Sequence, residues 1–126
     1  MLDKTLTAIE KKIMMTIWNT DHRMALKEMV EQVNKRYQKE WKPQTISTYL
    51  AHLVQKKYLS MERQGKIFLY TAEKQQETFV ENEAHDFYEY YDFYDLMDFI
   101  KAMNESGCIK KADLEEMKAV LYHADA

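Results

Sequence analysis

A mainly α chain with a small β-hairpin wing is the fold class this sequence predicts, and three observations carry the prediction. Only two Gly and one Pro punctuate 126 residues, and most of the chain between them repeats apolar residues at helical spacing. Two short β-prone runs flank Gly65. The charge is also divided. Residues 1–70 hold 13 Lys/Arg and 7 Asp/Glu, a net +6, whereas residues 71–126 hold 5 and 14, a net −9. The overall −3 therefore hides a basic half and an acidic half, and such asymmetry marks a domain boundary. We place the two domains at residues 1–71 and 72–126.

Composition narrows the class. With 46% apolar residues the chain can bury a core. No apolar run approaches the roughly 20 residues of a membrane span, and no basic-then-apolar leader opens the chain. The single cysteine, Cys108, excludes a disulfide framework or a thiolate cluster within one chain. The expectation is a soluble cytoplasmic protein without membrane insertion.

The first element begins at a capping box. Thr7 caps, Glu10 returns a bond three residues on, and Leu6 precedes the cap where a hydrophobic staple belongs. Ile9, Ile13, Ile17 and Trp18 then form an apolar stripe, which makes this a core helix. Residues 19–22 connect, and Arg23-Met24-Ala25 is a short extended segment. A second helix runs from Leu26 to about Tyr37, with Leu26, Met29, Val30, Val33 and Tyr37 on its apolar face. Lys27, Lys35, Arg36 and Lys39 lie outside that face.

The third helix differs from its neighbours. In the stretch WKPQTISTYLAHLVQKKY, Trp41 to Tyr58, Pro43 suits the first helical turn, where its missing N–H costs nothing. Ile46, Tyr49, Leu50, Leu53 and Val54 form the apolar side. The other side holds Gln44, Thr45, Ser47, Thr48, Ala51, His52 and Gln55: small or hydrogen-bonding, and uncharged at neutral pH. A solvated helix face usually carries Glu and Lys. Short side chains that let a backbone approach, with amides and hydroxyls to meet base edges, suit a helix laid in a DNA major groove. Two helices joined by a short turn, the second with this face, match a helix-turn-helix. The runs Leu59–Arg63 and Ile67–Thr71, separated by Gln64-Gly65-Lys66, then predict a hairpin directly after it, which completes a winged helix. Arg63 and Lys66 fall at the hairpin tip, where they can reach the sugar–phosphate backbone.

These segments, LTAIEKKIMMTIW, WKPQTISTYLAHLVQKKYL and GKIFLY, resemble the signature stretches of the BlaI/MecI/CopY (penicillinase repressor) family of winged-helix transcriptional repressors. The later IKKADLEEMKAVL is similar to the family's final helix, so the resemblance covers nearly the whole chain. It implies a homodimer in which each subunit places its third helix in a major groove of a palindromic operator. By analogy it also implies a membrane sensor-protease upstream. Lys57 stands where the family commonly has glycine after the third helix. The paired cysteine motifs of the CopY branch are absent. The segment Ile100-Lys101-Ala102-Met103-Asn104 lacks the Asn–Phe pair that is cleaved in the β-lactam-resistance branch.

The acidic half predicts three helices. Phe79, Val80, Ala84, Phe87, Tyr88 and Tyr91 share one face, and Tyr94, Leu96, Met97, Ile100 and Met103 share another after a break near Tyr91-Asp92. Asn104 to Gly107 is a turn, and Leu114, Met117, Val120 and Leu121 stripe the last helix. Aromatic residues are dense from Phe87 to Phe99. A stripe that one chain cannot cover argues for a partner chain. Phe87, Tyr88, Tyr91, Tyr94, Met97, Ile100, Leu114, Met117 and Leu121 are the expected dimerisation residues.

Catalytic convergence is missing from the pattern. His22, His52, His85 and His123 lie in different segments, no second ligand stands at metal spacing from His85, and there is no glycine-rich phosphate loop. We expect no enzyme, no metal and no cofactor. The partner is double-stranded DNA, with Gln44, Thr45, Ser47, Thr48 and His52 as base readers and Lys42, Arg63 and Lys66 on phosphates. The rival reading is a helical protein–protein adaptor that uses its winged helix without specific DNA binding.

Overall fold

The computed structural model of the chain describes residues 5–91 and 95–123. Nine elements follow in order: α1 (Ala8–Trp18), β1 (Met24–Ala25), α2 (Leu26–Tyr37), α3 (Pro43–Gln55), β2 (Leu59–Gln64), β3 (Ile67–Ala72), α4 (Gln76–Tyr90), α5 (Leu96–Glu105) and α6 (Lys111–Tyr122). By contacts they form two compact units, one ending at Asn82 and the other beginning at Glu83, so the division falls inside α4.

The first unit is a winged helix. Thr7 Oγ1 accepts the Glu10 N–H at 3.2 Å, and Glu10 Oε1 accepts the Thr7 N–H at 2.7 Å, which closes the capping box. Ile13 and Ile17 point into the core as their spacing requires, joined by Met14 from an adjacent position. Met24, Met29 and Val33 meet them from β1 and α2, and Ile46, Leu50 and Leu53 from α3. The three strands lie in the order β1-β3-β2, all antiparallel, with Met24 opposite Tyr70 and Leu59 opposite Ala72. Gln64 pairs with Ile67, so Gln64 belongs to β2 and the hairpin loop is only Gly65-Lys66. Gly65 takes φ +63 and Lys66 does not share its sign, as a type II′ turn requires.

Aromatic packing closes the far side. The Trp18 and Phe79 rings stand 5.2 Å apart, and Tyr58 meets Phe79 edge-on at 6.2 Å. Trp18 Nε1 donates to the Lys74 carbonyl at 2.8 Å, and the Lys74 ammonium lies 4.4 Å from the Tyr58 ring centroid. Through Phe79, the start of α4 contributes to the core of the winged helix.

In the second unit, Asp95 caps α5 by accepting the Met97 N–H at 2.8 Å. The turn after α5 is shorter than the sequence suggests, because α5 extends through Asn104 and Glu105. Gly107, at φ +80, supplies the left-handed position that lets the chain leave the helix. Phe87, Tyr91 and Phe99 form a ring cluster, with Phe87 centroids 4.6 Å from each of the other two. No residue of α5 or α6 is buried. Among the described residues no helix is long and apolar enough to cross a membrane.

Candidate nucleic-acid interface

The helix α3 is held by its apolar side and presents its polar side. Ile46, Leu50 and Leu53 have no exposed surface, while Tyr49 and Val54 are half-buried. At 100° per residue this leaves Gln44, Thr45, Thr48, Ala51, His52 and Gln55 facing outward, and all six are exposed. Ser47 lies at the edge of that face and is half-buried. Thr48 Oγ1 donates to the Gln44 carbonyl at 3.0 Å. Its methyl group and remaining lone pairs are what it can offer outward. His52 meets the Tyr49 ring edge-on, with centroids 6.0 Å apart.

Cations flank this face at both ends of the unit. Lys42 is the exposed N-cap residue of α3, with no side-chain cap of its own. Beside it, the Lys39 ammonium lies 6.0 Å from the Trp41 ring centroid. At the wing tip Lys66 is exposed. Arg63 folds along its own hairpin: Nε donates to the Gly65 carbonyl at 3.0 Å, and the guanidinium lies 6.0 Å from the Phe68 ring centroid. Arg63 is thus pre-positioned by the turn. Arg23 on the β1 side pairs with Glu62 of β2 at 2.7 Å and ties the wing to the sheet.

Two features that hold α3 in place carry no periodic signal in the sequence. The Asn34 side chain donates to the Trp41 carbonyl and accepts the Trp41 N–H, both at 2.9 Å. At the other end of the helix, Lys56 Nζ donates to Glu10 Oε1 at 2.8 Å and to the Thr5 carbonyl at 2.9 Å. Glu10 is only 1% exposed, and its Oε2 has no hydrogen-bond partner among the described residues. Burial pushes the Glu10 carboxyl up, but the hydrogen bonds from Lys56 and Thr7 more than offset it and leave the group below the usual carboxylate range. The capping box accounts for Glu10 at the helix start; its second role becomes visible only once α3 is folded beside it.

After α3, Lys56 remains right-handed and Lys57 turns left-handed at φ 66, the position where a glycine fits without strain. Away from this face, His22 bridges Asp21 at 3.0 Å and Glu28 at 2.7 Å. The Asp21 and then the Glu28 hydrogen bond raise the imidazole above its ordinary pKa.

The expected dimerisation residues are spread over the helices of the acidic half. Tyr88 and Leu121 are 70% and 72% exposed, Tyr91, Met97 and Met117 are exposed, and Phe87, Ile100 and Leu114 are half-buried. Tyr94 lies outside the described residues. Cys108 is exposed with its sulfur 3.2 Å from Ser106 Oγ. Among the described residues no group of three or more His, Cys, Asp or Glu is arranged to hold a metal ion.

Comparison with known proteins agrees with this geometry. The family model described as "Penicillinase repressor" matches residues 6–123. The penicillinase repressor of Bacillus licheniformis is 23% identical over 112 residues, which covers 89% of this chain and 85% of that protein. An uncharacterized 16.5 kDa protein from the ptsI 3′ region of Latilactobacillus sakei is 21% identical over 116 residues, covering 92% and 77%. The solution structure of the DNA-binding domain of the repressor BlaI superposes with a TM-score of 0.51 at 26% identity, over 58% of this chain and 85% of that one.

Proposed function

Because the chain belongs to the penicillinase repressor family, we infer that it is a DNA-binding transcriptional repressor and that it acts as a homodimer on a palindromic operator. The observation that carries the reading is the outward face of α3. Gln44, Thr45, Thr48 and His52 are exposed there without a charged residue among them, with Lys42 at the helix start and Lys66 at the wing tip. Phosphate contacts position a protein and base contacts specify its sequence, and this layout separates the two kinds of group. The Gln44 amide suits adenine, and the methyl groups of Thr45 and Thr48 suit thymine. Ser47 reaches the groove only at its edge. Lys42, Arg63 and Lys66 take phosphates.

In this proposal residues 1–71 read DNA and residues 72–126 dimerise, with Phe79 lending its ring to the first core. The exposed Tyr88, Tyr91, Met97, Met117 and Leu121 support a second copy as the cover for the acidic half. A two-fold dimer then predicts half-sites about 10 bp apart, or a multiple of that spacing. The protein works in the cytoplasm, and its binding occludes a promoter. Release through a membrane sensor-protease rests on family analogy alone.

Selection from random double-stranded DNA tests the function. The expected result is enrichment of a palindrome by the full chain, and sedimentation of a dimer that Leu121→Asp disrupts. Failure to enrich any site with a well-folded dimer would favour the protein–protein adaptor.

A further inference from the structure

We infer that Asn34 is the positioning residue that sets the entry of α3 and hence the placement of its reading face; the inference rests on α3 being the element that reads DNA. Asn34 lies in the last turn of α2 and is half-buried. Its backbone and side chain together close the whole connection to α3. The backbone carbonyl accepts the N–H of Gln38, which is left-handed at φ 54, and the N–H of Lys39 at 3.0 Å. The first is the bond of an αL helix cap, and the second is the longer bond of a Schellman turn. The carboxamide then takes both backbone groups of Trp41, one bond donated and one accepted, each 2.9 Å.

Four backbone groups of the connection are therefore tied to one residue, and Trp41 is held at two points, which fixes its orientation as well as its distance. The next residue, Lys42, is the N-cap of α3 and supplies no side-chain bond to the free N–H groups of the first turn. Most helices are anchored at that point by Ser, Thr, Asp or Asn. Here the anchor is displaced one residue upstream and provided by the preceding helix. Pro43 then fixes φ at the first helical position. Gln44 and Thr45 follow within four residues of the clamp. Each residue of error in the entry would turn the face by about 100° and shift it by about 1.5 Å. The carboxamide carries its donor and its acceptor on two separate atoms, Nδ2 and Oδ1, and so takes the Trp41 carbonyl and the Trp41 N–H at the same time.

The test uses the full-length protein with Asn34→Ala and Asn34→Asp. The aspartate keeps an acceptor for the Trp41 N–H but sets a carboxylate against the Trp41 carbonyl. Two readouts are taken on each variant: binding to the selected operator and to random DNA over a range of salt, and hydrogen exchange of the Trp41 amide and the first-turn amides of α3. Both variants are expected to lose roughly ten- to hundredfold in operator affinity relative to random DNA, comparable to losing one base pair of readout, at an unchanged salt slope. In Asn34→Ala the Trp41 amide should lose its protection while the amides of α1 keep theirs. Equal loss on operator and random DNA, or retained Trp41 protection in Asn34→Ala, overturns the inference. If either variant unfolds, protection is lost throughout, α1 included, and that also counts against a local positioning role. If the wild-type chain enriches no site, the DNA-reading assignment fails on its own, and the exchange result still decides whether Asn34 sets the helix entry.

Discussion

Replacing Lys56 by methionine removes the cation from a carboxylate that has almost no contact with water. Glu10 is 1% exposed and Lys56 side-chain exposure is 16%, with 2.8 Å between Nζ and Oε1. A lone charge at that depth is strongly unfavourable, typically by about 3–5 kcal/mol when one partner of a buried pair is deleted. The chain has a way to limit the loss, because Glu10 can take a proton. Protonating a carboxyl whose ordinary pKa is 4.5 costs roughly 1.4 kcal/mol per pH unit above that value, or about 3.4 kcal/mol at pH 7. The expected destabilisation of Lys56→Met is therefore about 3 kcal/mol at pH 7, shrinking to about 1 kcal/mol near pH 5.

The direction of that pH dependence follows from linkage. In the native chain Glu10 sits below its ordinary pKa, so its contribution is present above about 4.5 and is lost as pH falls through the lowered native value. Without Lys56 the burial that pushes the carboxyl up is unopposed, and the variant loses stability as pH rises. The two curves diverge toward neutral pH. Urea denaturation followed by the fluorescence of Trp18 and Trp41 measures this, at one fixed protein concentration because the proposed dimer would make apparent stability depend on it. The double variant Glu10→Gln with Lys56→Met should recover most of the loss, since no charge is then left buried. A loss below about 1 kcal/mol at pH 7, or a loss equal at pH 5 and pH 7, would refute the account of Glu10 as a buried charge held by Lys56.

Three further outcomes are expected. Lys57→Gly should stabilise the chain by about 0.5–1 kcal/mol in the same urea assay, because φ 66 is strained for lysine and open to glycine. Thr48→Ala should change which base is preferred at one operator position and leave the salt slope intact, whereas Lys66→Ala should weaken binding to all sequences and lower the slope by about 1 per site; binding titrations at several salt concentrations separate the two. His22→Gln should remove a pH-dependent share of stability: the raised imidazole contributes fully below 6.5 and loses that contribution as pH climbs through its higher native value, so thermal midpoints of the two proteins should converge on the alkaline side.

Most of the first unit could be read from the sequence because it is built from local signals. The capping box at Thr7, the stripe through α2 and the proline at the head of α3 each act within a few residues, and the structure has α2 at Leu26–Tyr37 and α3 starting at Pro43. The hairpin followed from Gly65 between two β-prone runs; the strands each run one residue further than those runs, to Gln64 at the turn, where a two-residue loop leaves less to the loop, and to Ala72 opposite Leu59. What the sequence hid is what fastens α3. The Asn34–Trp41 pair spans seven residues and the Glu10–Lys56 pair spans 46, and no periodicity links either. Glu10 already had a sufficient local explanation in its capping box, and Asn34 falls outside the apolar stripe of α2, so no local pattern asks for a further role of either. Partial burial of Ser47 is similar: helical phase puts it on the polar face, but only the neighbouring elements decide how much of an edge residue is covered.

If α3 reads DNA as proposed, the neutrality of its outward face decides how the chain discriminates. Charged readers gain affinity on any DNA, because releasing counterions rewards every phosphate contact regardless of sequence. In α3 the exposed residues gain nothing in that way, so their contribution exists only where donors and acceptors meet the right base edges. In the proposed layout general affinity falls to Lys42, Arg63 and Lys66 at the rim, which predicts about six phosphate contacts for a dimer and a salt slope near −5. The net −9 of residues 71–126 works in the same direction, since it discourages non-specific approach by the half proposed to dimerise. Specificity in such an arrangement depends on geometry more than on charge. The two clamps at the ends of α3, Asn34 upstream and Glu10 with Lys56 downstream, are what a neutral reading face requires: a helix that cannot rely on charge to find its seat must be held where its hydrogen bonds can be made.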